Sequence, residues 1–393
     1  MHRSAAVLLA CLIAPLTICG PAVASDPQIE AVSPPPAAAS HFRLLTMTVG
    51  GRTNVTSANA PYANSYTFQW PGVYFEAAFK GADVYFNIVN SQDRLKVTVD
   101  GKTIGVLKKP KPGQYHIGSL SDGPHRIRVE WLSENIGVPS IFAGFAVPPT
   151  ETPTAPPART RQIEFIGDSL TLGFGDTSDK VDCTTDDIWA TTDTSQAFGP
   201  LTAKALKADY QINAMSGRGL VRNFDGVLPG ATVPAMYPFT LFDQSATATA
   251  TAWQPQVVVI GLGTNDFATP VHAGEAWPDD KALKAAYETA YVAFVKSLRV
   301  KYPQAFFVLV SYDGATVQSE VARVVAALNA AGETRIAPLA MSGFAFTGCA
   351  GHLTTDDHKK ASQALSDLLA THPDIWPSSG PQSGPQSGPQ SGQ

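Results

Sequence analysis

Residues 147–160 read VPPTETPTAPPART. Five prolines with little to bury describe a semi-extended spacer, and the patterns on its two sides differ in kind. On the amino-terminal side, residues 41–146 hold short runs of β-branched and aromatic residues at Tyr66–Trp70, Val73–Phe79, Asp83–Val89, Leu95–Val99 and His125–Trp131. Turn residues separate them at Pro71-Gly72, Gly81-Ala82 and Asp122-Gly123-Pro124, and Asp100-Gly101 is a hairpin signal. Regular strands without helical periodicity predict a β-sandwich of jelly-roll type. On the other side, residues 161–377 alternate strand and helix. Ile163–Ile166, Val257–Ile260 and the run from Phe306 read as buried strands, and residues 281–302, 317–331 and 362–369 carry helical periodicity. That alternation predicts an α/β domain: a parallel sheet covered by helices on both faces, with reactive groups just past the carboxyl ends of its strands.

Composition agrees with two packed domains. The 393 residues are 44% hydrophobic and 16% charged, which excludes disordered and wholly membrane-embedded classes. Twenty-eight Lys plus Arg against 33 Asp plus Glu leave a net charge of -5, so no nucleic-acid partner is expected. Residues 1–25 run from a basic start (His2, Arg3) through an apolar core to Ala22-Val23-Ala24, the pattern of a secretory signal peptide. The mature chain is therefore expected to be secreted or periplasmic, with no membrane association once the signal is gone. Of four cysteines, only Cys183 and Cys349 then remain, and an oxidising compartment predicts one disulfide between them, the alternative being two buried thiols. Residues 26–40, with Pro34-Pro35-Pro36, are expected to be unstructured, and so is the Ser-Gly-Pro-Gln repeat of residues 378–393. No Cys/His spacing supports a metal site, and no cofactor is implied.

Four segments carry candidate chemistry. Gly167-Asp168-Ser169-Leu170 puts a hydroxyl in the turn leaving a strand, although it is not the GxSxG elbow, since Thr171 stands at the second glycine position. Ser216-Gly217-Arg218-Gly219 follows the strand Tyr210–Ala214, and Gly261-Leu-Gly-Thr-Asn265-Asp266 follows Val257–Ile260. A glycine N–H and an Asn amide are suitable donors for a developing oxyanion. Gly348-Cys-Ala-Gly-His352 supplies an imidazole to take the serine's proton.

That ordered set resembles the SGNH, or GDSL, hydrolase superfamily, named for a serine, glycine, asparagine and histidine in four blocks, here Ser169, Gly217, Asn265 and His352. With Phe68-Gln-Trp-Pro-Gly72, Ser216-Gly-Arg-Gly-Leu-Val-Arg-Asn223 and Leu262-Gly-Thr-Asn-Asp-Phe267, the chain from about residue 41 to 376 is similar to carbohydrate esterase family 2, which includes acetylxylan esterases. The resemblance implies a three-layer α/β/α, flavodoxin-like catalytic domain behind the jelly roll. It also implies a secreted serine esterase, a carboxylic ester hydrolase that removes O-acetyl groups from acetylated polysaccharide. Ser169 would be the nucleophile and His352 the base, with the oxyanion held by the N–H groups of Ser169 and Gly217 and by the Asn265 side chain.

One departure bears on mechanism. Many superfamily members place an Asp three residues before the histidine, whereas Cys349 stands there in this chain. The resemblance allows a Ser-His dyad whose ring is oriented by a main-chain carbonyl, which can fix the Nδ1–H tautomer but forfeits charge stabilisation. Leu353 also replaces the proline that usually follows the histidine in this family. Asp356 and Asp357 fall where a helix should start and are read as caps. His358 is read as structural, and Asp168 as a turn acceptor. Tyr237, Phe267, Trp277 and Trp189 are candidates to stack on sugar rings. Arg218 and Arg222 either hold substrate hydroxyls or pair with acids. Two rival readings remain: a lipid esterase or lysophospholipase of the same superfamily, and a glycan-binding protein that has lost activity.

Overall fold

A computed structural model describes residues 27–32, 42–57, 62–156, 158–248 and 253–376. The expected signal peptide (residues 1–25) and the Ser-Gly-Pro-Gln repeat (residues 378–393) lie outside the described residues. Three sheets form among those that are described, two antiparallel and one parallel.

The antiparallel sheets face each other as the expected sandwich. One runs, strand by strand, Ile29–Val32, Gly113–Ile117, Val84–Asn90, Ser140–Val147, Asn64–Phe68, Asn54–Ser57. The other runs Thr152–Thr154, Tyr74–Lys80, Pro124–Trp131, Arg94–Val99, Lys102–Lys108. Alternation along Arg94–Val99 sends Leu95, Val97 and Val99 inward to meet Phe75, Phe79, Phe86 and Phe142. The Asp100-Gly101 hairpin is present, with φ of 53° and 81° at its two residues, the left-handed pair that a tight two-residue turn requires.

Two expectations need correction here. Within residues 26–40, Ile29–Val32 is a strand paired antiparallel with Gly113–Ile117. An open sheet edge offers unpaired main-chain groups, and Ile29 can rest on the sandwich core. Nor is 147–160 a free spacer. Val147 closes a core strand, Thr152–Thr154 pairs with Tyr74–Lys80, and Arg159 bonds Glu76 at 2.7 Å and Asp209 at 2.9 Å, one acid from each side of the linker. Proline content signalled an extended backbone; hydrogen bonding to an edge strand was open to that backbone as well.

The parallel sheet has five strands, numbered within this domain β1 (Arg161–Gly167), β2 (Ala208–Ala214), β3 (Val257–Gly261), β4 (Phe306–Ser311) and β5 (Ile336–Ala340). Their spatial order is β2-β1-β3-β4-β5, the doubly wound order of flavodoxin-like sheets. Helices Phe198–Ala205 and Thr355–Ala370 pack together on one face; Asp280–Lys301 and Ala315–Ala330 cover the other. β5 was not anticipated: Pro338 interrupts its pattern, which is tolerable only because the strand lies at the sheet edge.

A polar seam joins the two domains. Arg128 and Lys204 converge on Glu130, which also accepts from the Tyr210 hydroxyl. Tyr74 Oη donates to Asp209 at 2.7 Å, and Arg52 reaches the fully buried Glu164 of β1 at 3.1 Å.

Candidate active site

The chemistry gathers at the carboxyl ends of β1, β2 and β3. Gly167, last residue of β1, has no room for a side chain: a Cβ there would lie 2.0 Å from Thr171 Oγ1 and 2.9 Å from the Gly261 carbonyl oxygen. The chain can therefore turn at once into the short helix Ser169–Leu172. Asp168 caps that turn, its carboxylate accepting from the Leu170 N–H at 3.0 Å. Burial raises the pKa of Asp168 to about 7, against the bonds it accepts from Leu170 and Asn265.

His352 faces this turn. Its Nε2 lies 2.8 Å from Ser169 Oγ, and its Nδ1 lies 2.9 Å from the Cys349 carbonyl oxygen. A carbonyl can only accept, so the proton sits on Nδ1 and Nε2 is left as the acceptor for the serine hydroxyl. Burial pushes the imidazole below its ordinary 6.5, opposed by the Cys349 and Ala350 carbonyls. The Phe174 ring, 4.5 Å away between centroids, packs against it.

Two devices place the histidine. Cys349 is disulfide-bonded to Cys183 across 166 residues of sequence. Behind it, Thr354 and Asp357 form a reciprocal capping box on the Thr355–Ala370 helix, and Asp357 also accepts from the N–H groups of Ala345 and Phe346. Asp357 is thus spent on capping and on tethering the preceding loop, while exposed Asp356 pairs with Lys359. His358 is buried, its Nδ1 accepting from the Phe198 N–H at 3.2 Å, and burial carries its pKa down to about 3.

The glycine and asparagine blocks meet beside the serine. Met215–Arg218 is a tight turn closed by Arg218 N–H to Met215 O at 3.3 Å, with Gly217 at φ +71° and open space where a Cβ would be. Among the described residues the Gly217 N–H has no backbone acceptor. Asn265 Nδ2 lies 2.9 Å from the Arg218 carbonyl and 3.2 Å from Asp168 Oδ2, so the amide ties the glycine turn to the serine turn. In this state both of its hydrogens are engaged. Acting as the third oxyanion donor requires it to exchange the longer Asp168 bond. Asp266 cradles the same loop, accepting from Leu220, Val221 and Arg222 at 2.8–2.9 Å.

A cleft of about 1100 Å³ lies elsewhere, at the amino ends of β1 and β2 beside Arg161 and Ala208. Most of its charged walls belong to the domain seam and pair with one another: Arg128 with Glu76 and Glu130, Arg159 with Glu76, Lys204 with Glu130.

Comparison with known proteins agrees with this geometry. Residues 49–157 match the model of the carbohydrate esterase 2 N-terminal family, and residues 165–374 match the GDSL-like lipase/acylhydrolase family. An acetylxylan esterase / glucomannan deacetylase of Cellvibrio japonicus (strain Ueda107) is 42% identical over 338 residues, covering 85% of this chain and 92% of that relative. The chain belongs to carbohydrate esterase family 2. Among solved structures, a carbohydrate esterase whose active site displays divergent catalytic and non-catalytic binding functions superposes with a TM-score of 0.81 at 39% identity, over 85% of this chain and all of that one. A family 2 enzyme with a carbohydrate-binding domain from Corynascus thermopiles (Myceliophthora fergusii) gives 0.69 at 26% identity, over 83% of this chain and 99% of that one. This chain is accordingly a carbohydrate esterase, a carboxylic ester hydrolase.

For the aromatic candidates the outcome in this esterase is mixed. Tyr237 is not a cleft residue: it is buried, its hydroxyl donates to Glu164 at 2.8 Å, and the Arg52 guanidinium lies 4.0 Å from its ring. A tyrosine in a loop after a motif looked available; its true neighbours come from β1 and from the sandwich. Phe267 is half-buried and meets the Tyr287 ring edge-on at 4.9 Å. Trp277 is half-buried in the loop before the Asp280–Lys301 helix. Trp189 donates to the Gln92 carbonyl of the sandwich, with Lys109 4.6 Å from its ring. Arg222 is buried and pairs with Glu275 at 2.6 Å, whereas Arg218 is half-buried beside the site, its Nε 3.4 Å from Met215 Sδ. Sequence reading passed over Glu134, a half-buried acid of the sandwich that accepts the Ser216 N–H at 2.9 Å. No motif surrounds it, and 82 positions separate the two residues.

Proposed function

We propose that this esterase removes O-acetyl groups from an acetylated polysaccharide, acetylxylan or acetylated glucomannan, by a Ser-His dyad. The single observation that carries the reading is the 2.8 Å approach of His352 Nε2 to Ser169 Oγ with Nδ1 held on the Cys349 carbonyl. His352 takes the hydroxyl proton as Ser169 Oγ attacks the acetyl carbon. The carbonyl oxygen becomes the oxyanion, met by the N–H groups of Ser169 and Gly217 and, once turned, by the Asn265 amide. Collapse expels the sugar oxygen, which takes the proton from His352, and leaves acetyl-Ser169. Water, deprotonated by the same ring, then releases acetate.

Among the described residues no carboxylate hydrogen-bonds the His352 ring, so turnover rests on tautomer control and oxyanion binding. The names of the relatives support the substrate class. The secretory pattern of residues 1–25 supports action outside the cytoplasm, secreted or periplasmic. The experiment is acetate release from acetylated xylan by the parent and by Ser169→Ala, with 4-nitrophenyl acetate alongside. The expected result is loss of both activities in the variant; retained turnover removes Ser169 from its role. If neither form releases acetate but both bind the polymer, the protein is a glycan-binding relative instead.

A further inference from the structure

We propose that Glu134 is a positioning residue for the oxyanion turn, so that the β-sandwich domain completes the catalytic site of its neighbour. The inference rests on the dyad reading above and concerns what aims the Gly217 N–H.

Glu134 Oε1 accepts from the Ser216 N–H at 2.9 Å, on the residue just before Gly217. That N–H belongs to the Met215–Arg218 turn, and with Gly217 at φ +71° its peptide planes are set by only a few bonds. Asn265 holds one end of the turn through the Arg218 carbonyl, and Glu134 holds the middle from the opposite domain. The Ser216 N–H lies in the Met215–Ser216 peptide, so removing the Glu134 bond loosens that plane on its amide side and, through the Ser216 Cα, the adjoining Ser216–Gly217 peptide that carries the Gly217 N–H. Misalignment of one preorganised donor is enough to weaken oxyanion stabilisation.

The acid stands on a rigid shelf. Ser133, its neighbour, donates to Asp93 at 3.0 Å, and the buried Asp93 also accepts from Ser140 at 2.7 Å. Leu132 O accepts from Thr194 N at 3.0 Å, and Ile136 O accepts from Gln69 at 3.0 Å, whose own amide oxygen takes the Phe242 N–H of the catalytic domain. Sandwich and catalytic domain thus clamp residues 132–136 from both sides, which is the support a placed side chain needs. Burial between the domains raises the pKa of Glu134, opposed by its bonds to Ser216 and by the charge of Arg218.

The test is a double-mutant cycle on 4-nitrophenyl acetate hydrolysis, with Glu134→Ala, Ser216→Pro and the pair. Proline suits the second position of such a turn while deleting the N–H that Glu134 accepts. Each single variant is expected to lower kcat by roughly tenfold or more with KM within about twofold, and the pair to lose little beyond either single, since both break the same Glu134–Ser216 tie. Glu134→Gln keeps an acceptor oxygen and should recover most of the kcat. Melting temperatures are read in parallel, and if Glu134→Ala does not fold, Ser216→Pro and Glu134→Gln still decide. Unchanged kcat in both Glu134→Ala and Ser216→Pro, additive losses, or an equal loss in Gln and Ala overturns the proposal. Ser169→Ala in the same assay reports separately on the dyad, so the two readings cannot fail unnoticed together.

Discussion

His352 and His358 stand on either side of one helix start, and burial pushes both below the ordinary imidazole value, yet their uses diverge. His358 accepts a backbone N–H in the core and has no path to substrate. In the proposed dyad His352 must be neutral to accept the serine proton, and its lowered pKa keeps it neutral further into acid. The sign follows: kcat/KM should stay level as pH falls to about 6.5, the unperturbed value, and decline only below it. A pH profile of 4-nitrophenyl acetate hydrolysis checks this, and a half-maximal point above 6.5 would contradict it. Asp168, with its pKa near 7, titrates in the same range, but its bond to the Leu170 N–H survives protonation because a carboxyl oxygen still accepts.

At the scale of elements, the Gly348–His352 segment depends on ties at both ends. The Cys183–Cys349 bridge anchors it on the Thr185–Thr191 side, and the carbonyl of the same Cys349 orients the imidazole. Replacing both cysteines by serine should cost about 2–5 kcal/mol of stability, since the bridge closes a long loop in the unfolded chain. It should also lower kcat, because the residue that bears the orienting carbonyl loses its anchor. Denaturant melts and steady-state kinetics of the double variant test both; unchanged kcat in a destabilised protein would show that the carbonyl is held without the bridge. The Asp357 capping box is the second tie. The capping role of Asp357 was legible in advance, because an acid at a helix start has a local cause, whereas its partner Thr354 came only with the structure. The edge strand β5 was not legible, because what makes Ile336–Ala340 a strand is its neighbour Phe306–Ser311.

Across the whole molecule, the two domains share a seam of buried charge. Glu130 is 3% exposed, bonded by Arg128 at 3.1 Å and Lys204 at 3.3 Å. Burial opposes ionisation of Glu130, but the two cations and the Tyr210 hydroxyl win and hold its carboxyl well below the usual range. Removing one partner of such a group strands the others, so Glu130→Ala should destabilise by about 3–5 kcal/mol. Urea unfolding measures it, and a loss under about 1 kcal/mol would mean that water or a neighbouring acid relieves the cations. A seam of this kind also makes the sandwich more than an appendage, as its bonds to β1 and β2 show.

What could be read from residue order alone was everything with a local cause: the sandwich strands and their Asp100-Gly101 hairpin, the alternation that builds a parallel sheet, and four polar blocks each leaving or preceding an element. These depend on side-chain periodicity and turn chemistry within a few residues. Folding decided the rest. The Cys349 carbonyl lies on the His352 ring, the Asn265 amide joins two turns, Tyr237 is buried beneath Arg52, and Glu134 reaches Ser216. Each of these except the Cys349 bond joins segments dozens of positions apart. Such bonds arise only when packing brings the partners to hydrogen-bond or contact distance, and no periodicity along the chain encodes that.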